Sequence, residues 1–237
     1  MERVSRLRQW LGSEDLAQAV ASYCEQGLQV VPCHHPTITV GPGSCCAWVC
    51  SCGSPACPTP GEHPVPGHWA GEPMDEPAGI AALWRQDPER NVGLLTGGTF
   101  EVLDVPAAFG KAALERCARR GLSGPVVRTG SGRLHLYVTA TGMPNGFVPN
   151  QPGSGRNGVF WHGEGGWVLA PPSRHMNGGI SRWLEPLSSP LPAAHLVLRE
   201  LLDLQAELCD RAGVPGVADV LGTAGFPGAA APGRTGR

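Results

Sequence analysis

Residues 99–106, Thr-Phe-Glu-Val-Leu-Asp-Val-Pro, constrain the fold more than any other stretch of the chain. Leaving the Gly97-Gly98 turn, residues 99–105 read as a buried strand that carries Asp104 to a sheet edge or surface. Pro106 has no backbone donor and ends regular pairing there. Residues 107–120 follow as a helix with Ala112, Leu114, Cys117 and Ala118 on its apolar face and Gly121 as its stop. The Gly130-Ser131-Gly132 turn then feeds a strand on which His135 and Tyr137 share one face, because alternate residues of a strand point the same way. Residues 158–173, rich in glycine and closed by Pro171-Pro172, read as a hairpin. Too little chain separates these late strands for repeated helical crossovers, so the class expected is α+β with a mixed or antiparallel sheet and flanking helices. An acid, a histidine and a glycine-laced hairpin would then line one concave site.

The remaining elements frame that core. Leu16, Ala19, Val20, Tyr23 and Cys24 recur at helical spacing, with Ser13 as cap and Gly27 as stop, which predicts a helix over 13–26. Short strands are expected at 28–32 and 91–96, a helix at 76–85 with Ile80, Leu83 and Trp84 inward, and a leucine-rich helix at 194–212. The domain expected spans 13–190, with 33–69 as a cysteine-rich insertion in which no period persists and turns dominate. Residues 222–237 offer almost no large apolar side chain and are expected to form a disordered tail. Gly (34) and Pro (24) make up about a quarter of the 237 residues, which favours long irregular connections over a helix bundle.

The formal net charge of -2 gives no global positive field for nucleic acid, although it leaves room for a local basic groove. The first residues carry Glu2, Arg3, Arg6 and Arg8, and no apolar run reaches membrane-spanning length. A cytoplasmic protein with no membrane contact is the expectation. Nine cysteines in such a setting are thiols or metal ligands sooner than disulfides. Cys50, Cys52, Cys57 and His63 supply three soft thiolates and an imidazole, a set that suits tetrahedral zinc in a structural role. Cys33, His34, His35, Cys45, Cys46 and His68 compete as ligands, and packed free cysteines are the alternative.

The order of these motifs resembles the N-terminal primase–polymerase domain of bifunctional DNA primase/polymerase proteins, in the archaeo-eukaryotic primase superfamily. The resemblance runs over residues 13–190. It rests on Gly27-Leu28-Gln29-Val30-Val31-Pro32, Pro60-Gly61-Glu62-His63-Pro64, Asn91 to Gly97, Leu103-Asp104-Val105, His135-Leu136-Tyr137, and Gly163-Glu164-Gly165-Gly166-Trp167 through Ser173. It implies a recognition-motif-like sheet core in which three acids hold magnesium or manganese for nucleotidyl transfer and a histidine contacts the incoming nucleotide. Carried over, Asp104 matches the first acid and His135 that histidine. The second acid falls at Pro106 and the third at Phe160, the basic residue two positions later is His162, and Glu62 stands where relatives often have lysine. Two of the three acids are absent.

Magnesium needs hard oxygen ligands, so Asp104 alone would retain at most one weakly held, nucleotide-associated magnesium or manganese ion. Glu101 falls on the opposite strand face, which leaves Glu164 as the compensating acid. Arg128, Arg133, Arg156, Arg174 and Arg182 are candidates for phosphate, with Arg128, Arg133, His135, His162 and Glu164 forming the nucleotide-binding set. The plainer readings are that Asp104 caps the helix after Pro106, that His135 is a satisfied core histidine, and that Phe160, Trp161 and Trp167 only pack. The function expected is a primase/polymerase-like domain, degenerate in its active site, that binds a nucleoside triphosphate or single-stranded DNA among replication or mobile-element proteins. The alternatives are an active primase/polymerase with a rearranged metal site and a structural or protein-interaction module.

Overall fold

The computed structural model describes residues 13–40, 46–67, 77–147 and 158–211. Four helices are present among them: α1 (Ser13–Glu25), α2 (Pro77–Gln86), α3 (Ala107–Arg119) and α4 (Ala194–Arg211). The strands are β1 (Val30–Cys33), β2 (Pro36–Val40), β3 (Cys46–Cys50), β4 (Asn91–Leu95), β5 (Phe100–Val105), β6 (Val126–Arg128), β7 (Leu134–Thr139), β8 (Gly146–Phe147), β9 (Phe160–His162), β10 (Trp167–Leu169) and β11 (Arg182–Glu185). They form a six-stranded sheet in the order β11-β6-β7-β5-β9-β8, a three-stranded sheet β1-β4-β10 and a two-stranded sheet β2-β3. Every strand pair is antiparallel, so the architecture is α+β with antiparallel sheets, flanking helices and a cysteine-rich lobe.

β5 lies in the interior of its sheet between β7 and β9, and Asp104 is therefore not at an edge. Residues directly opposite in antiparallel strands share a face. The register pairs Asp104 with His135 and with Phe160, and Val102 with Tyr137 and with His162. These six side chains thus stand on one face, while Leu103, Val105, Leu134, Leu136 and Trp161 stand on the other. The second face is sealed by α3 and α4 through Ala113, Cys117, Val197 and Leu201. On the first face Phe100, Val102 and Tyr137 pack against Val20 and Tyr23 of α1, Ile80 and Trp84 of α2, and Val92, Leu94 and Val168 of the three-stranded sheet. One strand face therefore begins apolar and ends at Asp104 and His135, where cover from the second layer stops and a cleft opens.

Two expectations from the sequence change here. Residues 158–173 do not form a self-paired hairpin: β9 joins the large sheet and β10 the small one, so the chain steps between layers at Gly163 to Gly166. Thr96 fixes that step, its hydroxyl donating to the Gly163 carbonyl (2.7 Å) and its N–H to the Gly166 carbonyl (3.0 Å). Gly97, at φ 100°, runs so close to the Glu164 backbone that no Cβ fits between them. The cysteine-rich segment, in turn, contains the β2-β3 hairpin, paired over five residues from Pro36↔Cys50 to Val40↔Cys46. Its pattern of small, β-branched and aromatic residues is visible once the two halves are aligned, with Ile38 opposite Trp48. The tail at 222–237, Cys45, His68 and Arg156 lie outside the described residues. No helix among the described residues is long and apolar enough to cross a membrane.

Candidate functional site

The cleft at the end of the shared face has a volume of about 360 Å³ and is lined by Glu62, Asp104, Arg133, His135, Phe160 and His162, with Gly165 to Leu169, Arg174 and His175 along its wall. Asp104 does not cap α3, whose cap position is Pro106 with no side-chain hydrogen bond. Its carboxylate instead receives the Nε–H of Arg133 at 2.7 Å, and the same guanidinium donates to the carbonyls of Asp104 (3.1 Å) and Gly158 (3.0 Å). The Arg133 side chain is thus fixed by three oxygens, one of them charged.

His135 Nε2 lies 3.9 Å from Asp104 Oδ1, and its buried Nδ1 has no hydrogen-bond partner among the described residues. The His162 ring sits 5.9 Å from that of His135 and 4.7 Å from that of Phe160. Burial first, then the Arg133 charge, pushes His135 down to about 3. Burial and the neighbouring His135 do the same to His162, also to about 3. Both imidazoles are therefore neutral near pH 7 and offer nitrogen lone pairs. One donor atom each from Asp104, His135 and His162 lie within 4.8 Å of one another.

Glu62 enters the same cleft from the cysteine-rich lobe. Its Oε1 lies 3.3 Å from His175 Nε2. Burial raises its pKa first, the Asp104 carboxylate raises it further, and His175 opposes the shift. The sequence noted Glu62 only as a departure from the family, because nothing local in it predicts that a loop residue will face Asp104. Glu164, expected as the compensating acid, is exposed on the layer step and does not line the cleft. Arg128 is exposed at the end of β6 and also lies off the cleft, as does exposed Arg182, because the register with Leu134 puts both on the sheet face opposite the cleft.

A second cluster gathers Cys50, Cys52, Cys57 and His63, again with donor atoms within 4.8 Å of one another. His63 Nε2 lies 3.4 Å from Cys50 Sγ and 3.3 Å from Cys57 Sγ. Its Nδ1–H donates to the Pro64 carbonyl at 3.2 Å, the arrangement that leaves Nε2 as a metal-binding lone pair. Gly61 N–H donates to Cys50 Sγ (3.2 Å) and Ser54 N–H to Cys52 Sγ (3.4 Å). The Ser54 N–H, as the largest influence, pulls the Cys52 thiol down to about 7. Competing ligands are engaged elsewhere: Cys33 with the Val31 carbonyl, His34 with Ser51, and His35 with Asp87.

A family model described as Bifunctional DNA primase/polymerase, N-terminal, matches residues 20–196 of the 237. No curated protein matches the chain.

Proposed function

The chain belongs to the family of bifunctional DNA primase/polymerase N-terminal domains, and from that premise we propose that its cleft binds a nucleoside triphosphate or single-stranded DNA without extending a primer. The observation that carries this reading is the register of β5 with β9, which sets Phe160 directly across from Asp104 where the family resemblance calls for an acid. Pro106, at the other acid position, caps α3 and offers no side-chain ligand atom. A two-metal site needs several carboxylates to hold both ions against their mutual repulsion, and this donor set does not fit one. Binding needs less. Arg133 supplies a fixed positive group, Phe160 an aromatic edge for a base, and the cleft a place for both. The domain works as a binding component of a cytoplasmic replication or mobile-element assembly.

Two assays test this. With magnesium or manganese, primer extension and de novo primer synthesis should be absent, while calorimetry in chelator detects a nucleoside triphosphate or single-stranded DNA. Robust extension that Asp104→Asn abolishes would overturn the proposal. No heat with either ligand, at millimolar nucleotide and micromolar DNA, would leave a protein-interaction module.

One observation favours a second reading, an active enzyme with a rearranged site: Glu62 brings a second carboxylate into the cleft, close enough to feel the Asp104 charge. Glu62→Gln separates the two. In the binding domain this substitution removes a negative charge from beside the triphosphate and tightens binding, whereas in an enzyme it removes a ligand and lowers the rate.

A further inference from the structure

We propose that Asp104, His135 and His162 form a binding site for a single borderline first-row divalent cation, of the cobalt, iron or zinc kind, and not for magnesium. The argument begins with placement. Three adjacent strands, β7, β5 and β9, each direct one donor to the same sheet face, and one ligand atom from each lies within 4.8 Å of the other two. Strands of one sheet fix such donors more tightly than loops do. His135 is nine-tenths buried, yet its Nδ1 has no hydrogen-bond partner among the described residues. Its other nitrogen, Nε2, lies 3.9 Å from Asp104 Oδ1, beyond hydrogen-bond length, which leaves room for an ion between the two donors.

Donor chemistry selects the ion. Two imidazoles and one carboxylate match the donor set that binds iron, cobalt, nickel or zinc, whereas magnesium asks for oxygen alone in near-ideal octahedral geometry. Phe160, opposite Asp104 and 4.7 Å from the His162 ring, fills the place from which a further acid would hold a second ion. The site is therefore mononuclear. Arg133 does not exclude the cation. It lines the cleft and holds Asp104 Oδ1 through its Nε–H, as hydrogen-bonded partners do for ligating carboxylates, and Glu62 adds a second carboxylate to the same cleft. Three protein donors leave the remaining coordination positions to water or an anionic ligand in the cleft.

This inference goes beyond nucleotide binding and stands whether or not a nucleotide binds. To test it, the full chain is first given one equivalent of zinc, which occupies the cysteine cluster, and is then titrated with cobalt(II) alone in calorimetry and absorption. One further cobalt should bind without the thiolate-to-cobalt charge-transfer bands that a sulfur site would show. Asp104→Asn and His162→Gln should each weaken that binding by at least about tenfold while the lobe keeps its zinc. Magnesium in large excess should not displace the cobalt. X-ray absorption at the cobalt edge of the unmutated protein needs no variant, and should show two imidazole rings and no sulfur. A sulfur shell, the absence of imidazole scattering, no cobalt beyond the zinc equivalent, or equal competition by magnesium would each overturn the site.

Discussion

Two acids on one strand show how a single-residue difference in phase separates stability from function. Asp104 faces the cleft, whereas Glu101, three positions earlier, is fully buried on the opposite face of the sheet. There its carboxylate accepts from the Trp161 indole (3.0 Å), the Thr141 hydroxyl (2.6 Å) and the Gly142 N–H (2.9 Å). Glu101→Ala would leave the Trp161 indole N–H buried without an acceptor, and is expected to cost roughly 2 kcal/mol in denaturant unfolding. Because the side chain never reaches the cleft, cobalt or nucleotide affinity of the folded variant should stay at the wild-type level. A drop in affinity without a drop in stability would show that Glu101 reports to the cleft after all. Strand alternation made this division legible in advance, since it depends only on counting along β5. Glu62 was not legible in the same way: it arrives from a loop, and no periodicity links it to Asp104.

At the scale of elements, α3 is pinned to α4 by charge as well as by apolar packing. Glu200, 4 % exposed, accepts from Arg116 Nε at 2.8 Å and lies 3.4 Å from Arg120, while Arg116 also donates to Glu207 at 2.7 Å. The Arg116 hydrogen bond, first, holds the Glu200 carboxyl below its usual range. An acid depressed in the folded state contributes stability that is complete above the unfolded value of about 4.3 and is lost as pH falls through the folded value. Thermal melts of the wild type should therefore lose stability in that acidic window, and Glu200→Gln should be less stable at pH 7 but flatter below it. An identical acid limb in the variant would assign the loss to other carboxylates. The helices themselves were readable from spacing: 107–120 was expected and α3 is Ala107–Arg119. The error over 158–173 has a physical source. Glycines and a proline stop mark a turn, but they do not say whether the strands on either side pair with each other or with two different sheets, as β9 and β10 do.

For the molecule as a whole, the α+β order was legible because short connections between late strands forbid parallel crossovers, but the link between the cysteine lobe and the cleft appears only in three dimensions. Residues 61–65 join the two. Asn91 of β4 donates to the Gly61 carbonyl at 2.9 Å, the His34 N–H to the His63 carbonyl at 2.8 Å, and the Val65 N–H to the Pro32 carbonyl at 2.9 Å. Between the anchored Gly61 and His63, itself one of the four clustered donors, Glu62 is aimed at the cleft. If zinc holds that cluster, its removal acts at two distances. Metal analysis should find about one zinc in protein purified without added metal, as a structural site binds it with folding energy, and Cys52→Ser or Cys57→Ser should release it. Hydrogen exchange should then quicken in β2 and β3, whose two-stranded sheet pairs with neither of the others, while β5 and β7, in the middle of the six-stranded sheet, keep their slow amides. Freed from its anchor, Glu62 would withdraw its charge from Asp104, so zinc release and Glu62→Gln should shift triphosphate affinity in the same direction. A lobe that stays ordered without metal, or a cleft that responds to Glu62→Gln but not to zinc loss, would break the connection and leave the cysteines as packed thiols.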